Sequence, residues 1–312
     1  MLPAALLFFL IAWYFRGARD TRLLYLVFSA VALSLASALL YAAWSNGAGE
    51  PSALISELGS PALLVPNDAA LLAVVAPLSL TVLYLEGHTA AKCVAALSIL
   101  ATVCVVSLLQ SRVAVITLGA AVVATGMFVR WRRGLLWGLV ILAVALAVDG
   151  SRGFPLLVKF AKVLDPRLSL WLASLAMFLD APLLGHGPHT FGLMYGRYLT
   201  ELDLPAWLPA DSRIVPWAHN LYLEVLAEQG IVGFGTLLLL LASGMAVGWR
   251  VYRTRPGETR VLAGGALAGL CGLCLAALFE LSFLRQWVVI TTFTLLGVIA
   301  QLSSSQSHPT EV

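Results

Sequence analysis

Long apolar runs recur along the chain, each near the ~20 residues needed to cross ~30 Å of hydrocarbon. They are Leu2–Phe15, Leu23–Trp44, Ala69–Leu85, Ala90–Leu109, Val113–Val129, Leu135–Val148, Ile231–Trp249, Val261–Phe279 and Trp287–Leu302. This pattern predicts an all-α, polytopic membrane protein with about nine transmembrane helices. The first and sixth runs are short. Pro77 inside the third is ordinary in a membrane helix.

Asp149–Gln229 breaks the pattern. Within it, Pro166–Leu179 has apolar residues at helical spacing (Leu168, Leu172, Leu175, Met177/Phe178), which predicts an amphipathic helix at the membrane interface. Asp165-Pro166 is its start signal. Ala181–Pro188 is rich in Pro and Gly and predicts turns. Pro205–Pro216 is irregular, with Trp207 inside it and Trp217 just beyond, aromatics suited to a headgroup region. A second helix starts near His219 and runs into the seventh apolar run. The chain therefore divides at 1–148, 149–229 and 230–312. It has no internal repeat, and its only biased tract is Ser303–Ser307.

Composition agrees. Of 312 residues, 60% are hydrophobic and 11% charged, against roughly 25% charged in a soluble domain. So few charges cannot cover a water-facing surface, so membrane lipids are the main solvent. A net charge of +3 gives no ground for a nucleic-acid partner. Cys93, Cys104, Cys271 and Cys274 all lie in apolar runs and read as inert thiols. Cys271 and Cys274 have metal-pair spacing, but no second pair or nearby histidine joins them.

Charge sets the orientation. Arg16, Arg19 and Arg22 follow the first run rather than precede it, which predicts an uncleaved helix with its N-terminus outside. Arg16/Arg19/Arg22, Lys92, Arg130/Arg132/Arg133 and Arg250/Arg253/Arg255/Arg260 occupy alternate connections. The positive-inside rule puts these in the cytoplasm. Asp149–Gln229, Ser111-Arg112 and Glu280–Arg285 then lie outside.

On that outer side are Arg112, Arg167 and His219. Guanidinium donates two parallel hydrogen bonds to phosphate. Imidazole accepts a proton near neutral pH. Together they suit a site that holds a lipid pyrophosphate while a base activates a hydroxyl. Each has a plainer reading. Arg112 could be a snorkelling interfacial arginine, Arg167 a headgroup ligand, and His219 a helix-start residue. Asn220 and Glu224 share a helical face. They are candidate acceptor-binding or supporting residues, although Asn220 could simply cap the helix and Glu224 could pair with an arginine. Glu228 reads as a helix-end surface charge, and Glu280 and Arg285 as a mutual pair. Arg152, Arg197 and Arg213 read as solvated loop residues. His186 and His189 lack a carboxylate at metal-site spacing, so no metal or other cofactor is expected. A transporter would need an inverted repeat or a charge within a span, and neither is visible. A purely structural protein would not need an external segment rich in Arg, His and Trp.

Three blocks carry a family resemblance. They are Ser111-Arg112; Arg167 and Trp171 followed by Asp180-x-Pro182-Leu183-Leu184-Gly185-x-Gly187-x-x-x-Phe191; and His219-Asn220-x-Tyr222-Leu223-Glu224-x-x-x-Glu228-x-Gly230-Ile231-x-Gly233. The chain resembles the O-antigen ligase / O-antigen polymerase superfamily over roughly 108–240. The third block is the most specific and Ser-Arg the least. The resemblance implies a metal-independent, GT-C-like membrane glycosyltransferase at the periplasmic face of the bacterial inner membrane. It implies an undecaprenyl-pyrophosphate-linked glycan as donor. A lipid A-core acceptor makes the protein a ligase, a second lipid-linked glycan a polymerase, and a protein Ser/Thr an oligosaccharyltransferase. It also implies pyrophosphate binding by Arg112 and Arg167 and a base at His219. Family members usually carry more spans, and the histidines at 186 and 189 depart from the pattern.

Overall fold

The computed structural model describes residues 2–45, 69–109, 111–129, 167–202, 204–205, 208 and 217–304, with scattered positions between 136 and 153. All its regular elements are helical: α1 (Leu2–Tyr14), α2 (Ala18–Ser45), α3 (Ala69–Leu85), α4 (Thr89–Leu109), α5 (Arg112–Phe128), α6 (Arg167–Asp180), α7 (Phe191–Glu201), α8 (Leu221–Thr254), α9 (Gly257–Ala277) and α10 (Gln286–Ser304). Among the described residues, α2, α4, α8, α9 and α10 are long and apolar enough to cross a membrane. α1, α3 and α5 are apolar but shorter. Half of the expected span Leu135–Val148 falls outside the described residues. The protein is thus an all-α, multi-pass membrane protein, and the described residues carry five such spans rather than nine.

The chain forms two compact units. The first comprises Met1–Phe160, Gly244–Leu273 and Val289–Val312. Here α3 is buried around most of its circumference, as an evenly apolar helix should be. Lipid offers no hydrophobic drive between helices, so small residues and hydrogen bonds must hold them together. A Cβ on Gly265 would lie 2.3 Å from Thr81 Oγ1, so these backbones approach only because residue 265 has none. Thr21 Oγ1 donates to Gln301 Oε1 at 3.0 Å, and Tyr25 OH to the Leu262 carbonyl at 2.8 Å. At one end of this unit Arg22 meets Glu86 at 3.0 Å and Glu258 at 3.4 Å. These belong to three connections that the charge pattern had assigned to one side of the membrane.

The second unit comprises Ala161–Ser243 and Cys274–Val288. Its core joins Leu170, Ala173 and Met177 of α6 to Phe191, Tyr195 and Tyr198 of α7, with Ala218 and Ala227. The expected amphipathic helix is present as α6, and of the apolar positions that marked it only Met177 is fully buried. Leu170, Ala173, Ser174 and Met177 are buried, whereas Leu168, Leu175 and Leu179 face outward. α6 is apolar on two sides, and spacing alone does not say which side finds protein.

Candidate functional site

Two of the sequence blocks are knitted together by main-chain hydrogen bonds. His186 N–H donates to the Ala227 carbonyl and Gly187 N–H to the Glu228 carbonyl. In return Ile231 N–H donates to Pro182 and Val232 N–H to Leu183. This contact explains the glycines. Gly230 (φ 62°) and Gly185 (φ 67°) sit in the left-handed region, and a Cβ on either would meet the other block's backbone at 2.3 Å. Gly230 also breaks α8 into two helical parts.

Glu228 is not the surface charge the sequence suggested. It is 4% exposed. Its two oxygens accept from the main-chain N–H groups of His189 and Phe191, each at 2.9 Å. It therefore satisfies donors that the start of α7 leaves open, where a negative charge also suits the helix dipole. Glu228→Ala should cost about 1–3 kcal/mol for each buried donor it orphans. Glu228→Gln, which keeps one acceptor oxygen, should recover part of that. Thermal unfolding in detergent measures both, and wild-type stability for the alanine variant would refute this capping role.

The two histidines of the turn differ in setting. His186 Nε2 approaches the Met177 carbonyl at 2.9 Å, so that nitrogen carries the proton, and it also lies 3.2 Å from the Tyr198 hydroxyl. Tyr198 in turn donates to Asp180 Oδ2 at 2.5 Å. Burial first, and the Asp180 carboxylate second, push the Tyr198 phenol up to about 12, so it stays a donor. His189 is exposed, with left-handed backbone (φ 64°).

Arg167 and His219 come together in this unit, with Glu280 between them. Arg167 is the first residue of α6, where the helix dipole disfavours a cation. Its Nη2 donates to Glu280 Oε2 at 2.8 Å and its Nη1 to the Phe279 carbonyl at 3.0 Å. His219 Nδ1 lies 3.0 Å from Glu280 Oε1. His219 has left-handed backbone (φ 51°), a conformation that costs a non-glycine residue roughly 1–3 kcal/mol and recurs at functional sites. Asn220 then starts α8: its Oδ1 accepts from Tyr222 N–H at 3.0 Å and Leu223 N–H at 3.1 Å. That is the capping role, one of the two open at the sequence level.

Glu224 is 3% exposed. Its Oε1 accepts from Ser282 Oγ at 2.5 Å. Its carboxylate is also close to the main chain of Ala218 and to Glu228. Glu224 therefore pairs with a serine rather than with an arginine.

The expected Glu280–Arg285 pair is also corrected. Both Glu280 oxygens are taken by Arg167 and His219, while the Arg285 guanidinium stacks over the Trp217 ring at 5.3 Å. The reason is local geometry. The turn after α9 aims Glu280 at the starts of α6 and α8, and Trp217, two residues before His219, offers Arg285 a ring face.

Arg112 belongs to the first unit. It is the first residue of α5, partly buried, and Ser111 before it caps that helix by accepting from Ala114 N–H at 3.3 Å.

Glu280, Ser282 and Arg285 were not read as site residues from the sequence. One signal was present: Glu280 directly follows the apolar run Val261–Phe279. An ionisable group at a membrane edge is a functional candidate by default, the same reasoning that singled out His219.

A search of curated proteins returned no match. A family model described as O-antigen ligase matches residues 96–238, the stretch that holds Arg112, Arg167, His219 and both interlocked glycine blocks. Over this stretch, on the residues that carried the resemblance, the chain is similar to the O-antigen ligase family.

Proposed function

We propose that the protein is a metal-independent, GT-C-like glycosyltransferase. It acts at the periplasmic face of the bacterial inner membrane and moves a glycan from undecaprenyl pyrophosphate to an acceptor hydroxyl. The preferred acceptor is lipid A-core, as for an O-antigen ligase. The supporting observation is the O-antigen ligase match over the segment that holds Arg112, Arg167 and His219. In this reading His219 takes the proton of the acceptor hydroxyl. Arg112 and Arg167 bind the pyrophosphate and stabilise the charge that builds on it as the glycan leaves. Preorganised cations at that point do what a metal ion would otherwise do. Arg167 has five N–H donors. Asn220 and Glu224 support the base, the first by starting α8 just after His219, the second from the buried side of the same helix.

The test uses purified protein in nanodiscs, a fluorescent undecaprenyl-pyrophosphate-linked glycan and three separate acceptors: lipid A-core, a second lipid-linked glycan and a Ser/Thr peptide. Transfer to lipid A-core, unaffected by chelator, is the expected result. Chain growth on the second lipid-linked glycan instead would make the protein a polymerase, and transfer to the peptide an oligosaccharyltransferase. Arg112→Ala and Arg167→Ala should each abolish or gravely weaken transfer. Lysine at either position should restore it in part, because it keeps the charge but loses the planar fork. Donor left intact with every acceptor would remove the glycosyltransferase reading. Full activity in both alanine variants would remove the pyrophosphate role of the arginines.

A further inference from the structure

Glu280 lies beyond residue 238, where the family match ends. It is 6% exposed, and both its oxygens are engaged by residues that the proposed function uses. We propose that Glu280 is the positioning residue of this site, a single carboxylate that fixes the tautomer of His219 and the aim of Arg167. The inference rests on the glycosyltransferase reading for its consequence, though not for its geometry.

A carboxylate only accepts hydrogen bonds. The proton shared between His219 Nδ1 and Glu280 Oε1 at 3.0 Å therefore sits on Nδ1. That leaves Nε2 with a lone pair. The hydrogen bond made by one ring nitrogen decides the state of the other. The second oxygen meets Arg167 Nη2 at 2.8 Å, so the guanidinium is held from the same side chain. Arg167 is further tied to the Phe279 carbonyl, next to Glu280 in the chain. A buried carboxylate spanning two residues 61 and 113 positions away couples them rigidly.

The chemistry balances. The acceptor hydroxyl oxygen bonds to the anomeric carbon and gives its proton to His219 Nε2. The bond from that carbon to the carrier oxygen breaks, and its electron pair leaves on undecaprenyl pyrophosphate. The imidazolium keeps Nδ1–H on Glu280 until the Nε2 proton passes to solvent.

A purely structural ion pair would affect folding alone, so the test reads the tautomer and the coupling. 15N spectra of histidine-labelled protein in nanodiscs report which nitrogen of His219 carries the proton. The His219 signals are assigned by their loss in His219→Ala. Wild type should show Nδ1–H. Glu280→Ala should lose that preference, and Glu280→Gln should weaken it, because the amide keeps one acceptor oxygen for two donor partners, Arg167 and His219, and turns its NH2 toward one of them. In the transfer assay, Glu280→Ala should lower kcat by about 10²-fold, within the roughly 10²–10⁴ a positioned base supplies. The same change in the His219→Ala background should cause almost no further loss, because groups that act as a unit are not additive. An Nε2–H tautomer in wild type overturns the proposal. So does an unchanged tautomer in Glu280→Ala, or a loss that adds fully to that of His219→Ala. If Glu280→Ala does not fold, Glu280→Gln takes its place, and an Nδ1–H preference unchanged from wild type there overturns the proposal. The spectra need no turnover, so a Glu280-dependent Nδ1–H signal without any glycan transfer would retain the positioning role and reject the glycosyltransferase reading.

Discussion

Replacing His219 with alanine is expected to reduce glycan transfer by about 10²–10⁴-fold while donor binding survives. An acceptor hydroxyl is a poor nucleophile, and a positioned base contributes about that factor. Under the proposed function, donor affinity comes from Arg112 and Arg167, which the substitution leaves in place. The fold should also tolerate it. The α8 start is capped by Asn220, and alanine would keep the left-handed backbone that histidine already adopts without removing that cap. Two interactions are lost, the 3.0 Å contact to Glu280, whose other oxygen remains on Arg167, and the ring contact with Trp217 at 5.4 Å. The measurement pairs turnover in nanodiscs with binding of the fluorescent lipid-linked donor. Loss of donor binding would make His219 a binding residue. Near-normal turnover would remove it from the mechanism.

Gly230→Ala should destabilise the protein by about 2–5 kcal/mol, combining about 1–2 for a left-handed non-glycine residue with about 1–3 for overpacking. The new Cβ would lie 2.3 Å from the Leu183 carbonyl oxygen and 2.6 Å from Leu184 N. These are main-chain atoms, so no rotamer change relieves the clash. The strand of hydrogen bonds from Ile231 and Val232 back to Pro182 and Leu183 would have to part. Gly185→Ala should behave alike, since its Cβ would meet the Glu228 carbonyl carbon at 2.3 Å. Gly235→Ala is the control. It lies within α8 with nothing within 4 Å of its Cβ, and a helical glycine changed to alanine gains up to about 1 kcal/mol. Thermal stability in detergent, followed by size-exclusion recovery, reads all three. A Gly230→Ala variant as stable as the Gly235→Ala control would refute the interlock.

The sequence by itself determined the membrane class, most of the helical elements and a family resemblance, but it did not foresee α7. Apolar run length is read against the bilayer, and a run such as Ala90–Leu109 needs no partner to declare itself. The start of α8 was partly legible because its capping side chain is local: Asn220, one of whose two open readings was a cap, bonds main-chain N–H groups two and three residues on. Arg167 and His219 were visible as candidates because their residue types and motif neighbours carry the chemistry.

Their meeting point was decided only in the tertiary structure. Glu280 lies 113 residues from Arg167, and no periodicity or cap connects positions that far apart. Sequence spacing paired Glu280 with its near neighbour Arg285, but the turn after α9 points the carboxylate elsewhere, and Arg285 finds the Trp217 ring. Glu228 looked like a helix-end charge because its acceptors' partners, His189 and Phe191, arrive from another element. α6 showed the same limit, since both of its apolar faces satisfy helical spacing and only packing chose the one that carries Leu170 and Met177. Local physics fixes where a helix lies and how it begins. Which buried charge meets which is set by elements that pack from distant parts of the chain, where desolvation makes a carboxylate take whatever donor the fold delivers.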